Sequence, residues 1–230
     1  MRTPSFLLSL TLFTPLAFAD RAPSSAWAAP PTPTAGTAQP RAPVVAVTPP
    51  AVLAPIDLAT IPDACQALAK QAVAPARPLA LSARISLASC LAEHAVAPIE
   101  LCDCGESVAA IDKAVAPAIA LLDDVVDNAD SATQIIAEHT QGELYAGFSL
   151  RLLGALPKLA PEATEAEQSL RDVRKQTLEV QLTPWREAAM TAFQHVVDLA
   201  KDHPAVAAQP VVAAAIRDSE QRLTADVAAR

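Results

Sequence analysis

The densest group of residues able to do chemistry is an acidic run between positions 123 and 130. It places Asp123, Asp124, Asp127 and Asp130 within eight positions of the chain. Carboxylates four residues apart lie on the same face of a helix, and their oxygen atoms are the ligands that Mg²⁺ and Ca²⁺ prefer. The run therefore predicts a candidate divalent-cation site at these four residues. The alternative is a solvated acidic end of a helix.

The start of this run resembles the first aspartate-rich motif, DDxxD, of the trans-prenyl diphosphate synthases. That resemblance implies an all-α fold in which Asp123, Asp124 and Asp127 hold magnesium ions that bridge a substrate diphosphate. The likeness covers about nine residues. Ser131 and its neighbours stand where the family has an arginine pair, and no second aspartate-rich motif follows. We name no family for the chain, and we expect no catalytic residue and no cofactor.

The other residues able to take part in chemistry are the four cysteines, Cys65, Cys90, Cys102 and Cys104. An even number of cysteines in an exported chain usually forms disulfides. Because cysteines separated by one residue seldom pair with each other, we expect Cys102 and Cys104 to be bridged to Cys65 and Cys90. The alternatives are a redox-active Cys102–Cys104 pair, and a metal site formed by Cys90, Cys102, Cys104 and His94.

Other catalytic and binding motifs are missing from the sequence. The four histidines form neither HExxH nor the ExxH pair of di-iron bundles, and there is no GxSxG or glycine-rich phosphate loop. The formal net charge of −8 argues against binding to nucleic acid, which requires clustered Lys and Arg. Residues 85–150 carry eleven acids and one base, which favours solubility, with binding of a cation or a basic partner as the alternative.

The N-terminal residues have the pattern of an export signal. Arg2 precedes a short apolar stretch, and Ala17-Phe18-Ala19 matches the small-x-small pattern that signal peptidase reads. We therefore expect residues 1–19 to be a signal peptide, with an uncleaved anchor as the alternative. Residues 20–55 contain nine prolines and only two Lys or Arg residues. Proline disfavours helix, so this stretch is predicted to be a disordered Pro/Ala-rich linker rather than a proline-rich ligand.

Residues 56–230 are predicted to form one α-helical bundle domain. The chain is 52% hydrophobic but only 3% aromatic, and its apolar residues are mainly Ala, Val and Leu. Such a composition favours helices over a β-sandwich or barrel. Prolines and capping residues divide the domain into about five to seven helices, and the short connections predict an antiparallel bundle.

Two helical segments carry patterns that bear on packing. One has apolar residues alternately three and four positions apart, which is a heptad pattern suited to core packing or to a partner helix: Val108, Ile111, Val115, Ala118, Leu122 and Val125. Pro117 is expected to kink this helix or to mark its start. A later helix, opened by Pro161 and an acidic first turn, passes through Leu170, Val173 and Leu178.

Three of the five glycines lie in one segment, 131–156, that is predicted to be helical: Gly142, Gly147 and Gly154. Glycine destabilises a helix interior by up to about 1 kcal/mol. We therefore expect a close helix crossing to compensate.

These features predict an exported protein, periplasmic or extracellular, with no transmembrane helix after signal cleavage. The short signal, together with the preference for Ala, Pro and Arg over Lys that accompanies a high GC content, predicts a bacterial protein. We expect a non-enzymatic binding, structural or accessory component of the cell envelope with a protein partner and no nucleic acid. The alternatives are a cation-dependent protein using Asp123–Asp130 and a thiol–disulfide protein using Cys102 and Cys104.

Overall fold

A computed structural model describes residues 52–102 and 105–229, all within one compact unit, Thr48–Arg230. The predicted signal peptide, nearly all of the predicted linker and Cys104 lie outside the described residues. The described part contains two short 3-10 turns and eight α-helices, and it has no β-strand. The prediction of an all-α fold is therefore confirmed.

Six of the eight helices have seventeen or more residues, and the other two, α1 and α7, are short. Their bounds are α1 (Gln66–Ala72), α2 (Arg77–Val96), α3 (Gly105–Asn128), α4 (Ser131–Gly154), α5 (Glu165–Gln181), α6 (Thr183–Asp202), α7 (Pro204–Ala207) and α8 (Pro210–Ala229). Pro184 lies in the first turn of α6 and Pro204 in that of α7, where a missing amide costs no intrahelical hydrogen bond. Pro117, by contrast, lies inside α3, which begins well before it, at Gly105.

The main core forms where α3 packs against α2 and α4. The apolar positions of the α3 heptad pattern are buried in it: Ile111, Val115, Ala118, Leu122 and Val125. Phe148 and Leu152 of α4 and Leu178 and Trp185 from farther along the chain close this core. The heptad pattern of α3 is thus used for packing within the chain.

The glycines of α4 differ in what surrounds them. A Cβ atom at Gly142 would lie 2.5 Å from Cε1 of Phe193 on α6, so only glycine allows these two helices to approach so closely. At Gly147 and Gly154 an added Cβ would meet nothing within 4 Å. The expected close crossing is therefore present at Gly142, and it was the wrong explanation for the other two glycines.

Helix α2 is long and apolar enough to cross a membrane by length and composition alone. Half of its apolar window is buried inside the fold, and its buried residues include the charged Arg84. Such burial is typical of a core helix.

Candidate functional site

Asp124, one of the four predicted cation ligands, is held by a buried arginine. Its carboxylate forms an ion pair with Arg84, whose side chain is only 3% exposed. Arg84 Nη2 also donates to the carbonyl of Ala54 over 2.6 Å, while the amide of Ala54 donates to Asp124 Oδ1 over 3.1 Å. The pair therefore fastens the last residues of the predicted linker to α2 and α3.

The other three predicted ligands are not gathered at one place. Asp123 Oδ1 accepts from Nε2 of Gln141 over 2.9 Å, and Asp130 Oδ1 caps the start of α4 by accepting from the amide of Thr133 over 2.9 Å. Asp127 is exposed. Among the described residues, no three members of this acidic run bring carboxylate oxygens close enough to share one ion.

The cysteine pairing differs from the one we expected. Cys65 is bonded to Cys90, with Cα atoms 5.9 Å apart, so this disulfide joins the start of α1 to α2 rather than either helix to the 102–104 loop. Cys102 is also disulfide-bonded, and its Sγ lies 3.0 Å from Oγ of Ser107. The expectation that Cys65 and Cys90 reach Cys102 and Cys104 was wrong. Spacing alone could not reveal that Cys65 and Cys90 face each other.

A cluster of titratable side chains lies between α4 and α8. Three of them could offer ligand atoms to one metal ion: His139, Glu143 and Asp218. Arg222 already lies among them, with Nη2 2.8 Å from Glu143 Oε1 and Nε 3.4 Å from Asp218 Oδ2. Its guanidinium bridges the two carboxylates and offsets one of their negative charges, so the cluster is held together as an ion-pair network.

Burial lowers the pKa of one side chain in this region and raises the pKa of two others. Burial lowers the pKa of His139, against the opposing effect of Asp218, because desolvation disfavours the imidazolium ion. Burial raises the pKa of Glu143 and also that of Glu138, whose carboxylate lies 3.4 Å from Nδ1 of His195 on α6. Glu138, His139 and Glu143 of this group lie within six positions of the sequence. Asp218, some eighty residues away, had no local signal.

Helix α5 has an apolar stripe that the described structure leaves more than half exposed, although Leu170 also lines a groove with Pro157 and Leu159 of the preceding loop. Leu170 is 54% exposed, Val173 57% and Val180 68%, and Leu178 is the only buried residue of the helix. The sequence placed Leu170, Val173 and Leu178 on one helix, as the structure does, but of these three only Leu178 is buried. Together with Ala166 and Thr177, the three exposed residues form a set that we call the α5 stripe.

The chain positions α5 through its two ends. At the N-terminus, Thr164 and Glu167 form a capping box, in which Glu167 Oε2 accepts from the amide of Thr164 over 2.8 Å. These hydrogen bonds lower the pKa of Glu167. Arg171 Nε donates to the carbonyl of Pro157 over 3.0 Å, and near the C-terminus Leu178 inserts into the main core. The helix is thus well formed, although little of its surface is packed.

The α5 stripe borders an open groove of about 680 Å³ between α4, α5, α6 and α8. Leu150 and Leu153 of α4, Val180 of α5 and Met190 of α6 are among its lining residues. Leu150 is itself exposed. The exposed apolar surface therefore continues from α5 onto α4. The spacing of the α5 stripe could have been read from the sequence, but its exposure could not.

Comparisons of the chain with protein-family models, with curated proteins and with solved structures found no match.

Proposed function

We propose that this protein is an exported, non-enzymatic binding component of the cell envelope that docks a partner helix on the α5 stripe. The single observation that carries the proposal is the exposure of that stripe. Each of the other long helices buries several residues, whereas α5 buries only Leu178. Monomeric proteins rarely expose contiguous apolar patches larger than a few hundred Å², and such patches mark sites of interaction.

The pattern of α5 supports a helix as the partner. The stripe positions recur alternately three and four residues apart from Ala166 to Val180, and all but Thr177 are apolar. Charged and amide side chains occupy most of the remaining positions. A narrow apolar stripe of this kind is typical of a coiled-coil seam, while a helix that packs on a globular core has a broader apolar face.

Export and tethering are supported by the sequence. Ala17-Phe18-Ala19 and the apolar stretch before it favour signal cleavage, and the proline-rich residues 20–55 favour an extended tether to the helical unit. The two-residue connection between α3 and α4 favours an antiparallel arrangement of these packed neighbours.

The contacts of the acidic run favour this function over the cation-binding alternative. Asp124 is neutralised by Arg84 and Asp130 is used as a helix cap. We therefore expect neither Mg²⁺ nor Ca²⁺ to raise the melting temperature. The thiol–disulfide alternative, which requires both Cys102 and Cys104, stays a prediction.

Site-specific photocrosslinking in cells that produce the full chain tests the proposal. A photoreactive residue is placed singly at Leu170, Val173 and Thr177 on the stripe, and at Gln168, Asp172 and Lys175 on the opposite face as matched controls. We expect protein crosslinks from the first three positions only, because a docked helix covers one face. Equal products from both faces, or none from the stripe, would contradict the proposal. Mass spectrometry of the exported chain checks cleavage before Asp20.

A further inference from the structure

We propose that the helix docked on the α5 stripe is α5 of a second copy of this chain, lying antiparallel to the first. This inference rests on the proposed function and names its partner. The first argument is the arrangement of the stripe positions, which is self-complementary. They are Ala166, Leu170, Val173, Thr177 and Val180, and Thr177 is the one polar residue among them.

The four central positions pair with one another around a two-fold axis between residues 171 and 172. Leu170 lies opposite Val173 of the second copy, and Ala166 lies opposite Thr177. Because of the two-fold symmetry each pairing occurs twice, so two kinds of residue pair form the four central layers of the seam. An interface between two identical chains in a closed dimer requires this self-complementarity.

The residues that flank the seam select the antiparallel direction. Glu167 and Arg174 each follow a stripe residue directly in the sequence and flank one side of the stripe. Ser169 and Gln176 each precede a stripe residue and flank the other side. In an antiparallel pair, Glu167 faces Arg174 of the second copy, and this ion pair occurs twice. In a parallel pair, Ser169 would face Arg174 and Glu167 would have no cation opposite it. Flanking charges of this kind set partner choice and orientation in coiled coils.

The intramolecular contacts of these side chains are compatible with the dimer. Arg174 already makes a contact within its own chain, and a guanidinium group has five N–H donors. Glu167 is fully exposed, and its second oxygen atom is not used by the capping box. The hydroxyl of Thr177 donates to the carbonyl of Val173 over 2.9 Å, so that no hydroxyl donor of this residue is left unpaired in the seam.

A membrane surface fits the stripe less well. Residues 165–181 carry four acids and three bases, whereas helices that lie on membranes are rich in Lys and Arg.

The size of the contact indicates a reversible dimer. Specific interfaces that are stable bury about 1,200–2,000 Å² in total, and a pair of four-turn helices lies at or below the low end of that range. The exposed surface of Leu150 and the adjoining groove could add to it. We therefore expect dissociation in the micromolar range.

Sedimentation equilibrium of the full mature chain, from micromolar to millimolar concentration, tests the inference. We expect a monomer–dimer equilibrium that Leu170→Arg weakens by about tenfold or more, since a charge would enter the seam. The matched control is Val211→Arg, because Val211 is 71% exposed on α8 and lies outside the stripe. Unchanged melting temperatures under dilute conditions show that the variants fold. A chain that stays monomeric throughout, or equal effects of the two substitutions, would overturn the inference.

A charge exchange tests the direction of the helices. Glu167→Lys alone places a lysine opposite Arg174 of the second copy, and Arg174→Glu alone places two glutamates opposite each other, so each variant should self-associate weakly. Mixing the two variants restores an ion pair of opposite charges in an antiparallel heterodimer, and we expect the mixture to dimerise more strongly than either variant. Dimerisation of the mixture no stronger than that of the separate variants would overturn the antiparallel pairing.

The crosslinking experiment separates failure of this inference from failure of the proposed function. Products of twice the mass of the chain, from stripe positions only, support the second copy. Products with a different protein from the same positions overturn the second copy but leave the docking function in place. Absence of any product from the stripe overturns both.

Discussion

Helices α3 and α5 carry the same spacing of apolar residues in opposite surroundings. In α3, the five positions of the heptad pattern that lie between Ile111 and Val125 inclusive are at most 2% exposed, because α2 and α4 cover them. In α5, Leu170, Val173 and Val180 are more than half exposed. Burying one such side chain contributes about 1.5–3 kcal/mol. Covering the α5 stripe would therefore contribute hydrophobic free energy that folding of the described chain does not gain.

The width of the apolar surface distinguishes the two helices. Additional apolar residues flank the α3 stripe, among them Ala114, Ile119 and Leu121, and give it a broad face that two neighbouring helices can cover. The α5 stripe is bordered by Glu167, Arg174 and Gln176. Spacing thus predicts a stripe, while the flanking residues indicate whether its partner is the protein's own core or another helix.

The largest expected difference between the two helices concerns their ion pairs. Asp124→Ala should destabilise the protein by about 3–5 kcal/mol, because it leaves the guanidinium of Arg84 buried without its counter-charge. Glu179→Ala on α5 breaks a half-exposed pair with Lys175 and should cost less than about 0.5 kcal/mol. Urea unfolding at low protein concentration measures both. A loss below about 1 kcal/mol for Asp124→Ala would contradict the role assigned to this pair.

Truncation of the stripes themselves should give the next largest difference. Leu122→Ala in α3 creates a cavity in the core and should cost about 2–5 kcal/mol. Leu170→Ala removes an exposed side chain, and under dilute conditions its effect should stay within about 0.5 kcal/mol. At high concentration Leu170→Ala should also lower stability, because it weakens the dimer that we infer. A concentration-independent loss equal to that of Leu122→Ala would mean that Leu170 belongs to the core.

The N-terminal cap of α5 provides a smaller and more local test. Thr164→Ala removes the side-chain acceptor for the amide of Glu167 and should cost the helix about 1 kcal/mol. Because α5 packs weakly on the rest of the chain, hydrogen exchange should accelerate in residues 165–181 with little change in the melting temperature. Thr164→Ser keeps the acceptor and should exchange like the unmodified protein. A global loss of stability from Thr164→Ala would show that α5 is tightly coupled to the core.

The sequence predicted the features that depend on local chemistry. Helical composition and the apolar face of α3 both follow from propensity and periodicity. The features that it missed depend on contacts between distant residues. Arg84 forms an ion pair with Asp124, forty positions away, and Cys65 forms a disulfide with Cys90 of another helix. Asp218 of α8 contacts His139 of α4. The periodicity of α5 likewise could not show that the rest of the chain leaves its stripe uncovered.

Acidification should affect the core and the α5 stripe differently, and this is the smallest of the expected effects. Burial holds the pKa of His139 below its ordinary value of 6.5, so the unfolded chain binds a proton there at a higher pH than the folded chain does. Stability contributed by neutral His139 is present above pH 6.5 and is lost as the pH falls through 6.5 toward the lowered value. Glu138 and Glu143, whose pKa values are raised, act in the opposite sense as the pH falls toward 4.5.

The comparison of His139→Gln with the unmodified protein isolates the histidine. Between about pH 7.5 and 5.5 the melting temperature of the unmodified protein should fall, and that of His139→Gln should fall less. His203→Gln, at an exposed position, is the matched control and should behave like the parent. Equal losses in the parent and in His139→Gln would refute the effect of burial. Residues 163–181 contain no histidine, so dimerisation through α5 should stay constant over the same range.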